Sequence, residues 1–173
     1  METLLNAEQI EEGVDRMAAY VQSVCPRPPL VLVGVLTGSL PMVADLIRRL
    51  DLPLRLALIQ ARSYRGPKHQ QGELKIDDRL LPDLRGSHVV VVDDIFDTGQ
   101  TLAGVVEQLQ RRRPSSLHSA VLLRKQIGGA KSVEPDFVAF DIPDKFVVGY
   151  GLDLNDLYRN LPYVATLDPG EGP

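Results

Sequence analysis

Residues Val89 to Leu102 read VVVVDDIFDTGQTL: four valines run into two aspartates, a third follows at Asp97, and a Thr-Gly turn opens a new apolar pattern. An unbroken β-branched run suits a strand buried on both faces, as at the centre of a parallel sheet. HVVVVD is therefore expected to be a central strand, and TLAGVVEQLQRRR the helix that follows. The strand delivers Asp93 and Asp94 to its carboxyl end, the edge of an open α/β sheet where ligands bind. Asp97, Thr98, Gly99, Gln100 and Thr101 form the turn into the helix. Backbone N–H groups, the positive helix end and two hydroxyls thus converge on one place. Such a place suits a phosphate. Acids beside an anion pocket must face something else, and a ribose diol and Mg2+ are the two candidates.

The rest of the chain reads as the same alternation. Asn6 caps a helix with Gln9 three residues on, and Ile10, Val14, Met17, Ala18 and Val21 recur at helical spacing. CPRPP ends that helix as a turn. LVLVGVL, Leu30 to Leu36, reads as a second buried strand, and PMVADLIRRL as a helix with a proline start. LRLALIQA is another strand, and residues 63–85 form a polar stretch with few core positions. LHSAVLLR, FVAF, FVVGY and YVATL supply further short strands. The order is mainly βαβ, so the expected fold is α/β around a mostly parallel sheet, with a small C-terminal addition.

Bulk properties bound the function. The chain has 173 residues, 44% of them hydrophobic and 24% charged, which is the size of one domain, 1–173, with an adequate core. No apolar run approaches the ~18 residues of a membrane span, and METLLNAEQIEE is acidic where a leader is basic. A cytoplasmic location is expected. The single cysteine, Cys25, can form no internal disulfide, and His69, His88 and His118 lack ligand spacing, which argues against a zinc site. A net charge of −4 disfavours broad nucleic-acid binding. The RRR run at 111–113 reads as cations at a helix C-terminus.

Singly, each acid of the opening stretch could be a loop start or a helix cap. Together they carry more weight, and the stretch has neither the Gly-Lys-Ser/Thr of a triphosphate P-loop nor Gly-x-Gly-x-x-Gly. VVVVDDIFDTGQTL resembles the phosphoribosyl pyrophosphate signature of type I phosphoribosyltransferases. FDIPDKFVVGYGLDLNDLYRNLPYV, Phe140 to Val164, is similar to the C-terminal purine-binding segment of the hypoxanthine-guanine phosphoribosyltransferases. LTGS at Leu36 to Ser39, SY at Ser63 and Tyr64, and LLRK ending at Lys125 fall in that family's order, so the resemblance spans Leu30 to Leu167.

The resemblance implies the type I fold with a small hood over the sheet, and transfer of a phosphoribosyl group from phosphoribosyl pyrophosphate to hypoxanthine or guanine. The products are IMP or GMP and pyrophosphate. It assigns Asp97 as general base at purine N7, a role for which partial burial beside other carboxylates is expected. Leu36, Thr37, Gly38, Asp93, Asp94, Asp97, Thr98, Gly99, Gln100, Thr101 and Arg159 bind phosphoribosyl pyrophosphate. Lys125, Lys145, Phe146, Val147 and Asp153 bind the purine, and Ser63 and Tyr64 belong to a lid. The resemblance also implies Mg2+, one ion seated with the help of Asp93 and Asp94 and a second positioned by Asp153 through water. A homodimer or homotetramer is implied.

The family has Lys or Arg where this chain has Thr37, so a cation is missing from the pyrophosphate loop, and the Leu36-Thr37 peptide is expected to be cis. A different class stays open. Some phosphoribosyltransferase folds act as nucleotide-sensing regulators that bind nucleic acid, against which Lys125 and DKFVVGYGLD speak. A phosphoacceptor domain also has paired acids after a strand but does not need Thr98, Gly99 and Thr101.

Overall fold

The computed structural model describes residues 1–63, 74–129 and 131–167. Their elements in chain order are β1 (Glu2–Leu5), α1 (Ala7–Val24), β2 (Leu30–Leu36), α2 (Leu40–Ile47), β3 (Leu54–Ser63), β4 (Leu74–Asp77), β5 (His88–Phe96), α3 (Gln100–Gln110), β6 (Ser116–Lys125), β7 (Phe137–Ile142), β8 (Val147–Val148) and β9 (Val164–Thr166). The valines of β5 set the layers. Val90 and Val92 join one apolar core with Ile10, Val14 and Met17 of α1 and Met42 and Leu46 of α2. Val89 and Val91 face the other way, into a core with Leu102, Val105 and Leu109 of α3. Period-2 alternation in a wholly apolar strand thus demands helices on both faces, and the chain supplies them.

The main sheet runs β4-β3-β2-β5-β6-β7. Its pairings are parallel except β3 with β4. A smaller antiparallel sheet, β1-β9-β8, forms the hood. Helix α1 starts as its sequence indicates: the Asn6 side chain accepts from the Gln9 N–H at 2.9 Å, and the Gln9 side chain accepts from the Asn6 N–H at 2.9 Å. Two orphan donors of the first turn are satisfied reciprocally.

Several elements differ from the sequence reading. The polar stretch after β3 contains β4, which pairs back onto β3, with Ile76 against the α3-side core and Leu84 fully buried. Its short apolar content hid it. β1 has no alternation to announce it and exists because β9 pairs with it. Helix α3 ends at Gln110 with Arg111 as C-cap, and α2 ends at Ile47. β5 does not end at the acids: Asp93 stays in the ladder opposite Val121, and the strand continues to Phe96 opposite Arg124.

That extension opens the cleft. β2 leads to β3 on one side of the sheet, whereas β5 leads to β6 on the other, so the strand order reverses between β2 and β5. The ladder between them stops at Gly34 opposite Val92. Beyond it the two strands part at their carboxyl ends, where open α/β sheets bind ligands.

Candidate active site at the sheet's switch point

Two loops flank this crevice. On the β5 side Asp93 is 6% exposed. Its carboxylate accepts from the Asp94 N–H at 3.0 Å, and the Asp94 carboxylate accepts from the Ile95 N–H at 2.8 Å. Burial, then the Asp94 charge, pushes the Asp93 carboxyl well above the usual carboxylate range, and burial raises Asp94 as well. For both acids burial is the largest cause of the rise, because desolvation penalises the charged form. On the β2 side the Leu36-Thr37 peptide is cis, as the resemblance led one to expect. Gly38 lies so close to Asp94 that a Cβ there would sit 1.6 Å from its Oδ2. Only glycine permits that approach.

The turn after β5 is built for an anion. Gly99 has φ +85°, caps α3 and is followed by no side-chain cap, so the first-turn N–H groups of α3 remain available. A cavity of about 140 Å3 is lined there by Asp93, Asp97, Thr98, Gly99, Gln100 and Thr101, floored by Phe96 and Val121. A Cβ on Gly99 would lie 3.1 Å from the Phe96 ring, and Lys131 stacks on that ring at 4.6 Å.

Across from it, Lys125 ends β6 with its side chain only 13% exposed. Its Nζ lies 3.7 Å from Asp97 Oδ2 and 3.5 Å from Asp144 Oδ1. Asp97 itself is about half exposed, at 48%. The expected burial beside carboxylates therefore falls on Asp93 and Asp94, while Asp97 has a lysine for its neighbour. Phe146 is 49% exposed, and Val147 is buried in β8. Lys145 is exposed.

The hood closes the crevice from its far side. Gly149, Tyr150 and Gly151 all have positive φ, at 98°, 48° and 98°. This left-handed run is held by Tyr150 N–H to Leu161 O at 2.8 Å and Gly151 N–H to Arg159 O at 3.0 Å. Arg159 donates to Gly151 O at 2.7 Å and pairs with Asp153 at 2.8 Å. Its charge also offsets that of Asp94. Among the described residues no three His, Cys, Asp or Glu side chains gather to hold a metal by themselves. The donor set, two adjacent acids beside an anion cavity, fits an ion like Mg2+ that takes one or two carboxylates and completes its shell with substrate oxygens and water.

Of the residues named from sequence, Asp93, Asp97 and Thr98 to Thr101 share one cavity, Gly38 joins them through Asp94, and Arg159 joins Asp153. Asp153 is engaged by Arg159 and by the Asp156 N–H, apart from the Asp93-Asp94 pair. Ser63 ends β3, and Tyr64 lies outside the described residues. Asp144, Phe96 and Tyr150 were missed, because their significance rests on contacts with distant segments. Of the RRR run, Arg111 pairs with Glu107 and Arg112 with Asp78.

Fold and site together define a class, the phosphoribosyltransferases, and residues 1–155 match the phosphoribosyl transferase domain family. A hypoxanthine-guanine phosphoribosyltransferase of Staphylococcus epidermidis is 41% identical over 164 residues, covering 95% of this chain and 92% of that protein. The crystal structure of a Staphylococcus aureus hypoxanthine phosphoribosyltransferase superposes with TM-score 0.88 at 39% identity, covering 98% of this chain and 92% of that one. A hypoxanthine-guanine phosphoribosyltransferase from Bacillus anthracis gives TM-score 0.89 at 33% identity, covering 97% and 99%. The chain belongs to the hypoxanthine-guanine phosphoribosyltransferase family.

Proposed function

We propose that this chain, as one domain over 1–173, transfers the 5-phosphoribosyl group of phosphoribosyl pyrophosphate to hypoxanthine or guanine in purine salvage. The products are IMP or GMP and pyrophosphate. The observation that carries the choice of base is the Lys125-Asp97 pair, a donor and an acceptor 3.7 Å apart. A 6-oxopurine presents the complement on one edge: O6 accepts, and the neighbouring N7–H donates. Adenine presents an amino group in place of O6, which an all-donor lysine cannot satisfy.

The reaction follows from those positions. Thr98 to Thr101 and the α3 N-terminus hold the 5-phosphate, and Asp93 and Asp94 hold the ribose hydroxyls. The backbone of Leu36 to Gly38 and Arg159 bind the pyrophosphate. The C1–O bond breaks with its electrons passing to pyrophosphate, purine N9 bonds to C1, and Asp97 takes the N7 proton. Phe146 stacks on the purine, Lys125 donates to O6, and the Val147 and Asp153 backbone meets the N1 and C2 edge, with Lys145 beside them. Asp93 and Asp94 would seat one Mg2+ and Asp153 a second through water, and the metal when bound neutralises the leaving diphosphate.

The working form is a homodimer or homotetramer in the cytoplasm. No described helix is long and apolar enough to cross a membrane. Initial rates with hypoxanthine, guanine, xanthine and adenine, in phosphoribosyl pyrophosphate and Mg2+, test the proposal. Hypoxanthine and guanine are expected to lead, xanthine to follow and adenine to come last. Equal kcat/KM for adenine and hypoxanthine refutes the assignment of the base pocket.

A further inference from the structure

The hood meets the pyrophosphate loop at one place and helix α2, which follows that loop, at another. A Cβ on Gly151 would fall 1.8 Å from the Gly38 carbonyl oxygen and 3.0 Å from Pro41, so the Gly149-Tyr150-Gly151 run is seated directly on the loop that follows β2. One residue away, the Tyr150 hydroxyl donates to Asp45 Oδ2 on α2 at 2.6 Å, a contact between residues 105 apart in sequence. Tyr150 is 8% exposed and adopts positive φ, 48°, which a bulky side chain takes only where its surroundings fix it. Burial, then the Asp45 hydrogen bond, raises its phenol far above the ordinary tyrosine value, so the hydroxyl remains a donor. Asp45 is anchored in turn by Arg48 at 2.5 Å, and Arg49, which donates to the Asp45 carbonyl, reaches Asp15 of α1.

We propose that Tyr150 is a positioning residue: its hydroxyl, tethered to Asp45, holds the Thr37-Gly38 loop in register with the turn that carries Asp153 and Arg159. The two halves of the pyrophosphate site come from segments with no local connection, and Thr37 and Gly38 bring no cation to the loop. Its backbone must therefore do the binding, and backbone donors serve an anion only when they are pre-placed. The ring of Tyr150 packs in the core, while the hydroxyl is the part that joins the hood to α2. This inference rests on the phosphoribosyl-transfer reading for its kinetic test but not for its structural one.

Tyr150→Phe keeps the ring and removes the tether. It is expected to raise KM for phosphoribosyl pyrophosphate and weaken inhibition by pyrophosphate by about five- to tenfold, the effect of one lost buried hydrogen bond, while KM for hypoxanthine stays within about twofold of the parent. Amide hydrogen exchange across residues 36–43 speeds up in the ligand-free variant. Asp45→Asn keeps an acceptor and behaves as the parent, whereas Asp45→Ala behaves as Tyr150→Phe, and the double variant adds nothing further. Ser119→Ala, which breaks a comparable buried contact with Asp136 away from the site, lowers stability without moving either constant. Parent-like pyrophosphate inhibition in Tyr150→Phe, unchanged exchange across 36–43, or an equal KM shift in Ser119→Ala overturns the tether. A parent protein with no transfer activity on any 6-oxopurine refutes the function instead, and the exchange comparison still decides the tether.

Discussion

Replacing Gly38 with alanine probes how the two sides of the cleft share space. The new Cβ would lie 1.6 Å from Asp94 Oδ2 and 2.7 Å from its Cγ, so one of the two must move. Gly38 has little freedom to retreat, because its carbonyl is packed against Gly151 on the other side. The Asp94 carboxylate therefore swings away and gives up the Ile95 N–H that it accepts at 2.8 Å. A charge-assisted hydrogen bond is worth about 1.5–3 kcal/mol and an off-rotamer side chain costs about 0.5–1.5 kcal/mol, so returning Asp94 to the ribose costs about 2–4 kcal/mol. At 1.36 kcal/mol per decade, kcat/KM for phosphoribosyl pyrophosphate should fall about 30- to 1,000-fold. Initial rates at saturating hypoxanthine measure this, and thermal unfolding checks that the fold survives. In an Asp94→Ala background the Cβ has room, so Gly38→Ala should then have little further effect. A loss smaller than about threefold in the single variant would show that Asp94 is not needed where the structure places it.

Asp97→Asn should lower kcat about 10²- to 10⁴-fold with KM for phosphoribosyl pyrophosphate nearly unchanged; a loss confined to that KM would make Asp97 a loop-ordering residue. Lys125→Met should lower kcat/KM for hypoxanthine about 10- to 100-fold by leaving O6 unpaired, narrowing its lead over adenine without improving adenine. Asp93→Asn removes a buried, repelled charge, and should raise the stability of the ligand-free chain in chelator by about 1–2 kcal/mol while weakening phosphoribosyl pyrophosphate binding; a lower midpoint in urea contradicts the burial argument. Gln108 and Arg112 hydrogen bonds hold the Asp78 carboxyl below its ordinary value, so its contribution is present above the unfolded-state value and lost as pH falls through the folded one. Asp78→Asn should therefore lower Tm by about 1–3 °C near neutral pH, the small effect of a largely solvated pair, and leave Tm unchanged in strong acid.

The stretch from Val89 to Leu102 shows how far local sequence reaches. Burial on both faces, the acids, and the glycine that must take positive φ at the head of α3 are carried by contiguous residues, so the central strand and the phosphate turn could be read without a partner. The same holds for the Asn6-Gln9 cap, where donor and acceptor are three residues apart. Phe140 to Val164 was legible through its resemblance to a family rather than through its own periodicity, since β8 has only two residues and the Gly149-Tyr150-Gly151 run no regular pattern.

What the sequence left undetermined were meetings between segments. β1 is a strand because β9 pairs with it from the far end of the chain, and β4 because β3 offers an edge. Asp97 and Asp94 look alike as neighbours in one motif, yet the fold sets Lys125 beside the first and Gly38 against the second. The Tyr150-Asp45 tether crosses 105 residues. Local propensity and turn chemistry act over a few residues and are written in them, whereas burial, pairing and the proximity of charges depend on which surfaces the folded chain brings together.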